Sequence, residues 1–213
     1  MHPYLTIGML NLKIPMYGLM LTLSMGCGYL FARRQMVRRF ALAEHWIDLM
    51  ILMIAMGALM GARLFALVFE MKLPLSQIPA YLFRPQASGV TFYGGFIAAL
   101  VVLVIFIRLY RLNFWETADI LSIPTAFGLG VTRIGCFLAG CCWGTPTQLP
   151  WAVMFTHPEA LTPIKHVPLH PVQLYHSAAN FVVFGVICMA YFKWPSRPRG
   201  IVFLLFITLY GVG

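Results

Sequence analysis

The chain has 213 residues and a formal net charge of +9, but only 10% of its residues are charged and 61% are hydrophobic. A soluble domain carries about 25% charged residues. This composition leaves too few charged side chains to cover a water-facing surface, and it excludes an ordinary soluble domain. It predicts a protein that crosses a membrane several times.

Apolar runs near the spanning length of about 20 residues recur along the chain. We predict an all-α polytopic transmembrane helix bundle that forms one domain over residues 1–213. The last run is only about 21 Å long as a helix, so we expect it to be incomplete. The six predicted spans, in chain order, are residues 14–32, 49–69, 90–107, 118–140, 172–192 and 200–213.

The basic residues follow the first, third and fifth runs, and few lie in the connections after the second and fourth. Because basic loops stay in the cytoplasm, we predict that the amino terminus lies on the outer side of the membrane. The charge then serves topology and contacts with membrane lipids, and no nucleic-acid partner is predicted. These basic residues are Arg33, Arg34, Arg38, Arg39, Arg108, Arg111, Lys193, Arg197 and Arg199.

Two arginines lie within the predicted spans. With this orientation, Arg133 lies about 22 Å along the fourth span and Arg63 at a similar level in the second. A charged side chain inside a bilayer usually faces a partner or a cavity. For Arg63, the alternative to facing a cavity is a structural ion pair with Glu70. For Arg133 we favour a lipid phosphate, which the guanidinium binds through two hydrogen bonds, over snorkelling to the interface.

Small residues are dense in the spans, and they suggest two roles. Gly57 and Gly61 have the spacing that lets transmembrane helices approach closely. Gly94 and Gly95, beside Tyr93, are predicted instead to leave room for a ligand at the outer level of the bundle. Residues 145–169 contain five prolines and are predicted to form a periplasmic loop or small cap over the entrance.

Three cysteines, Cys136, Cys141 and Cys142, form a possible thiol site. They lack the paired spacing of zinc ligands, and no metal is predicted. A disulfide from Cys136 requires the helix to end near Gly140, because the two Cα atoms must approach within about 7 Å. A reactive thiol and small apolar packing residues are the other interpretations.

The stretch "GLGVTRIGCFLAGCCWGTPT" resembles the signature region of the prolipoprotein diacylglyceryl transferases. Further matches occur in order along the chain: "MHPYLTIG", "IPMYGLML", "GALMGARLFALVFE", "GVTFYGGFIAAL", "HPVQLYHSAANF" and "GIVFLLFITLYGVG". The resemblance implies a bacterial inner-membrane enzyme with seven spans in the full protein, so the predicted outer side, with the amino terminus, is the periplasm. Such an enzyme moves a diacylglyceryl group from phosphatidylglycerol to a cysteine thiol in the lipobox peptide of an exported prolipoprotein, and it needs no cofactor.

The sequence departs from the family pattern at four positions. Tyr93 stands where the family commonly has a histidine, and Cys136 stands where it has an asparagine. Cys141 and His176 each stand where the family has a glutamate. A second family arginine is expected just after Gly211, beyond the last residue of this sequence. These departures leave open a lipid-binding or lipid-moving relative without transferase activity, or a membrane thiol-disulfide protein.

The resemblance also implies roles for individual residues. Arg133, Tyr93 and Tyr210 are predicted to be catalytic, with Arg133 on the departing phosphate. A tyrosine is a poor base near neutral pH, so His170 or His176 is predicted to accept the proton of the thiol. The predicted substrate-binding residues are Arg133, Tyr17, Arg63, Gly94, Gly95, Gly135, Gly144, His170, Gln173 and Tyr175.

Overall fold

A computed structural model describes residues 3–7, 12–40, 42–74, 76–82 and 91–212. Outside these residues lie Val90 and Gly213, which belong to predicted spans, and Arg84, which lies between the second and third predicted spans. A π-helical turn, Ala66–Glu70, continues the second helix, Glu44–Phe65. The helices are α1 (Met16–Arg39), α2 (Glu44–Phe65), α3 (Ile78–Leu82), α4 (Phe92–Leu109), α5 (Phe114–Ala139), α6 (Val172–Lys193) and α7 (Ile201–Val212).

The predicted all-α membrane bundle is confirmed. Within the described residues, three segments are long and apolar enough to cross a membrane: Glu44–Glu70, Phe114–Ala139 and Val172–Lys193. The apolar helices Tyr93–Leu109 and Ile201–Val212 are shorter. Helix α1 is long enough, but its glycines, tyrosines and terminal arginines lower its hydropathy. The number of spans and the periplasmic amino terminus stay predictions.

Four short strands were not predicted. Tyr4–Ile7 (β1) pairs antiparallel with Leu12–Pro15 (β2), and Val153–Met154 (β3) pairs antiparallel with Pro168–Leu169 (β4). Strands of two to four residues are too short to show the alternation that marks a strand in a sequence. The second pair closes the segment that was predicted to form a cap.

The chain divides into two compact units. The first unit comprises Met1–Arg34 and Trp115–Gly213, and the second comprises Gln35–Phe114. In the second unit, α2 and α4 meet through glycines. A Cβ atom on Gly95 would lie 2.9 Å from the carbonyl oxygen of Ala58, and one on Gly94 would overlap Phe65. Both glycines therefore serve helix packing, the role predicted for Gly61, and ligand binding at Gly94 and Gly95 stays a prediction.

In the first unit, helix α6 places polar side chains inside and apolar side chains outside. Gln173, Ser177 and Asn180 are buried at a helical spacing of four and three residues, whereas Val182 and Met189 are exposed. In water this arrangement would be unfavourable. In a bilayer the surrounding solvent is apolar and buried polar groups must bond to each other, so the pattern agrees with a membrane helix.

An acidic side chain from α5 caps the start of α7. The carboxylate of Asp119, which is 2% exposed, accepts hydrogen bonds from the backbone N–H groups of Gly200 and Phe203, each at 2.9 Å. Its ion pair with Arg197 measures 4.0 Å from Oδ2 to Nε. The Arg197 guanidinium also lies over the Tyr191 ring, 4.1 Å from its centroid. These contacts satisfy the free N–H groups that every helix start presents.

Replacing Asp119 with alanine should destabilise the first unit. The change leaves two N–H groups of α7 without an acceptor and Arg197 buried without a counter-charge, and we expect a loss of about 3–5 kcal/mol. Thermal unfolding in detergent measures the effect. The control is Arg199→Gln, because Arg199 is 67% exposed in its pair with Glu116 and such pairs contribute at most about 1 kcal/mol. Equal melting temperatures for the two variants would contradict this account.

Candidate active site on helices α5, α6 and α7

The polar face of α6 is bonded to α5 and to the turn that follows it. The Ser177 hydroxyl donates to the carbonyl oxygen of Gly130 at 2.9 Å. Nε2 of Gln173 donates to the carbonyl oxygen of Cys141 at 2.7 Å. Nδ2 of Asn180 donates to the carbonyl oxygen of His176 at 2.8 Å. The bonds of Ser177 and Gln173 fix how α6 is turned about its axis, so its polar groups face the interior of the unit, whereas the Asn180 bond lies within α6.

Arg133 lines a cavity of about 170 Å³ on α5, α6 and α7. Its side chain is half-buried, and it forms no hydrogen bond or ion pair with any residue in the described part of the chain. Asp119 lies fourteen residues away on the same helix, about 21 Å along the axis, and is already bonded to α7. The other residues that line the cavity are His176, Ala179, Asn180, Val183, Leu209 and Tyr210.

The chemistry of this cavity suits an anion with an apolar portion. A guanidinium, an imidazole, a phenol and an amide line a space that also contains aliphatic walls. An unpaired arginine with a planar fork of donors is the side chain that best binds a phosphate or carboxylate. The structure thus brings together three residues that the sequence singled out: Arg133, His176 and Tyr210.

The segment 145–169 folds back over the end of α5. The backbone N–H of Leu161 donates to the carbonyl oxygen of Ala139 at 3.1 Å, and the ring of Phe155, 1% exposed, packs edge-on against Phe137. On the exposed side, Lys13 and Glu159 form an ion pair of 2.8 Å. This pair lowers the pKa of Glu159 and raises the pKa of Lys13 through their hydrogen bond and charge attraction.

Three of the predicted substrate-binding residues lie at the junction of this segment with α6. The Tyr175 hydroxyl accepts a hydrogen bond from Nε1 of Trp151 at 2.7 Å and lies 3.4 Å from Nδ1 of His170. A Cβ atom on Gly144 would lie 2.7 Å from Cγ1 of Val172 and 2.8 Å from the carbonyl oxygen of His170. Only glycine fits this contact without movement of the neighbouring turn.

Helix α5 ends with the turn that the sequence predicted at Gly140. Gly140 has a φ of +74°, which favours glycine. The N–H of Gly140 donates a hydrogen bond to the carbonyl oxygen of Phe137. The N–H of Cys141 donates one to the carbonyl oxygen of Cys136. These are the two hydrogen bonds of a Schellman motif. The turn returns Cys141 and Cys142 toward Cys136, and all five cysteines of the chain are free thiols.

The thiols of Cys136 and Cys141 interact directly. The Cys141 thiol donates a hydrogen bond toward the sulfur of Cys136, and this bond together with burial raises the pKa of the Cys141 thiol above its usual range. A thiol that keeps its proton is a weak nucleophile.

The remaining predicted residues divide between the two units. Tyr17 packs on Gly135 in the first unit, 3.4 Å from the Cβ atom that glycine lacks. In the second unit, Nη2 of Arg63 donates to the carbonyl oxygen of Tyr81 at 3.2 Å. Glu70 accepts a hydrogen bond from the Thr91 hydroxyl at 2.7 Å. Tyr93 starts α4 and is 68% exposed.

Asn180 and Trp151 were missed by the sequence analysis. Asn180 lies within a predicted span, four residues after His176, and a polar residue at that depth was the available signal. Nothing in the sequence indicated a role for Trp151. Its hydrogen bond to Tyr175 joins residues 24 positions apart, and the segment between them has no periodic pattern.

The fold and the site together define a class: a polytopic membrane protein with a cavity on its helices, lined by an arginine that has no hydrogen-bond or ion-pair partner among the described residues. The chain matches the prolipoprotein diacylglyceryl transferase family over residues 4–213. It is 36% identical over 201 residues to the phosphatidylglycerol–prolipoprotein diacylglyceryl transferase of Pasteurella multocida, covering 92% of this chain and 70% of that one. For the Haemophilus influenzae enzyme of the same name, the identity is 35% over 212 residues, with 97% and 75% covered.

A third relative of the same name, from Methylococcus capsulatus, is 34% identical over 205 residues, with 94% of this chain and 75% of that one covered. The matches extend over nearly the whole chain, as the ordered motifs predicted. The chain belongs to the prolipoprotein diacylglyceryl transferase family.

Replacing Gly144 with alanine should disturb the junction of the cap segment with α6. The added methyl group overlaps Val172 and the His170 backbone, and overpacking of this kind costs about 1–3 kcal/mol. Gly185→Ala is the matched control, because a Cβ atom there would meet nothing within 4 Å. Thermal unfolding of the two variants in detergent tests the prediction. It is wrong if Gly144→Ala is as stable as Gly185→Ala.

Proposed function

We propose that this protein transfers a diacylglyceryl group from phosphatidylglycerol to the cysteine thiol of an exported prolipoprotein. Family membership supports the reaction class, because the relatives' names state this transfer. The observation that carries the proposal is the half-buried Arg133, which lines a cavity without a partner in the described part of the chain. Phosphatidylglycerol has the anionic phosphate and the apolar chains that this cavity suits.

The proposed reaction is a displacement at carbon. The thiolate of the acceptor forms a C–S bond to the terminal glyceryl carbon, and the C–O bond to the phosphate breaks, releasing glycerol phosphate. Negative charge grows on the leaving phosphate oxygen, so donors placed in advance stabilise the transition state. Arg133 supplies two of these donors and the phenol of Tyr210 supplies another.

The proton of the acceptor thiol needs a base, because the thiolate is the nucleophile. His176 lines the cavity with Arg133, and histidine accepts protons near neutral pH. We assign this role to His176 in preference to His170, which lies beside the Tyr175 hydroxyl. Tyr17 and Tyr93 are proposed to donate hydrogen bonds to the lipid oxygens.

The other predicted binding residues position the two substrates. Gly135 and Gly144 permit close packing around the site, and Gln173 and Tyr175 fix the turn and the cap segment. Lipid contacts of Arg63, Gly94 and Gly95 within the second unit stay predictions, and α2 already packs against Gly94 and Gly95 where a side chain would lie. The acceptor is proposed to enter as a lipobox peptide beneath the cap segment 145–169.

We place the protein in the bacterial inner membrane with its amino terminus in the periplasm. The arginines at the end of α1, after α4 and after α6 support this orientation. Arg133 lies six residues before the end of α5, about 9 Å along the helix. In this orientation the site faces the outer leaflet, where an exported precursor arrives.

Removal of the Arg133 charge should nearly abolish transfer. In an assay with phosphatidylglycerol vesicles and a lipobox peptide, we expect Arg133→Gln to lower kcat by about 100-fold or more, because a transition-state donor is lost. Arg133→Lys should recover part of the rate, since it keeps the charge but not the planar fork. Mass spectrometry of the thioether product measures the rate.

Arg199→Gln is the matched control for this experiment, because it removes an exposed arginine of the same unit. It should transfer at the rate of the unaltered protein. Full activity of Arg133→Gln would exclude Arg133 from the reaction. Absence of product from the unaltered protein, under conditions in which the Pasteurella multocida relative is active, would overturn the proposed function itself.

A further inference from the structure

The proposed transfer does not use the three thiols at the end of α5. The Sγ atoms of Cys136, Cys141 and Cys142 all lie within 4.8 Å of one another. Cys136 is buried in the last turn of the helix, Cys141 is half-buried, and Cys142 is exposed. The Schellman motif at Gly140 produces this cluster, because it reverses the chain directly after Cys136.

The cluster has the dimensions of a metal site. Zinc–sulfur bonds of about 2.3 Å place the sulfurs of a tetrahedral site about 4 Å apart, a distance that these thiols reach with small rotations. Two thiols would suffice for a disulfide, whereas this turn brings three together. Thiolates select soft or borderline ions such as Zn²⁺ over Mg²⁺ and Ca²⁺, which prefer oxygen ligands.

The local charge selects a divalent ion over a monovalent one. Three thiolates carry a charge of about −3, since a coordinating thiol loses its proton to the metal. Arg133 lies three residues before Cys136, on the same side of α5, and contributes one positive charge. A divalent ion brings the sum near zero, whereas a monovalent ion leaves a net negative charge in surroundings where charge is costly.

A second observation at the same turn points to a ligand. Gln173 is fully buried, and its Nε2 donates to the carbonyl oxygen of Cys141. Its Oε1 accepts no hydrogen bond from any group in the described residues. Buried acceptors are nearly always satisfied. A water molecule in the fourth position of a three-thiolate zinc site would donate the hydrogen bond that Oε1 of Gln173 lacks.

We propose that Cys136, Cys141 and Cys142 bind one thiophilic divalent cation of the Zn²⁺ class, with a water molecule in the fourth position. The exposed Cys142 provides the path by which the ion enters. The ion joins the end of α5 to the turn that Gln173 holds, so it stabilises the junction beneath the cap segment. This site shares no ligand with the proposed transfer, although the charge of Arg133 acts on both.

The test measures metal content directly. The protein is purified under reducing conditions, loaded with Zn²⁺, washed, and analysed by elemental mass spectrometry. We expect about one zinc ion per chain, and a sulfur-to-metal charge-transfer band when Co²⁺ replaces Zn²⁺. Cys142→Ser, at an exposed position that the fold tolerates, should weaken zinc binding by about ten-fold or more.

Cys188→Ser is the matched control, because it removes a thiol from the middle of α6, and it should retain the ion. Cys136→Ser should lose the ion, with circular dichroism to verify that the variant folds. Zinc content that is absent from the reduced protein, or unchanged in Cys142→Ser, would overturn the proposal. A Cys136–Cys141 disulfide in protein alkylated inside intact cells would also overturn it.

Discussion

The hydrogen bonds between the polar face of α6 and the backbone of α5 are the constraint on which the site depends. A bilayer offers no water to polar groups, so Gln173, Ser177 and Asn180 must find partners inside the protein. Two of them use carbonyl groups of α5 and of the turn after it. This pairing orients α6 so that His176 and Asn180 line the cavity with Arg133.

Two charged residues of α5 show how structure and function divide along one helix. Asp119 is buried and bonded to the start of α7 and to Arg197, so its charge stabilises the bundle. Arg133, about 21 Å away, lines a cavity and has no hydrogen-bond partner among the described residues. A charge in a membrane helix is costly, and one without a protein partner indicates a ligand. Because a charge inside a membrane is costly, Asp119 is bonded to other groups of the bundle, and we expect Arg133 to bind a ligand.

The sequence predicted those features that depend on local composition. The apolar runs predicted the main helices, although α1 continues to Arg39, beyond the predicted end at residue 32. The fourth run was predicted to end at Gly140, and α5 ends at Ala139 with Gly140 in a left-handed turn that favours glycine. The contact of Gly94 and Gly95 with α2 could not be predicted from the sequence, because it depends on how the two helices pack. The cap of Asp119 on α7 joins residues more than 80 positions apart. Such contacts arise from packing and leave no periodic signal.

The roles of individual residues were the least predictable part of the site. Arg133 was singled out because a charge in an apolar run is unusual, and Tyr210 because of the family resemblance, and the structure brings both to one cavity. Asn180 was missed because an amide among apolar residues resembles a packing residue. Cys136 and Cys141 were noted as part of a possible thiol site and then as departures from the family pattern, and the turn at Gly140 gives them a shared geometry.

The most direct test of the central claim is lipid binding to Arg133. Dissociation constants for phosphatidylglycerol and for diacylglycerol, which lacks the phosphate, can be measured by native mass spectrometry with the unaltered protein and with Arg133→Gln. A hydrogen bond to a charged group contributes about 1.5–3 kcal/mol, so the variant should bind phosphatidylglycerol at least ten-fold more weakly and diacylglycerol equally well. Equal affinities of the two proteins for phosphatidylglycerol would contradict the assignment of Arg133 to the phosphate.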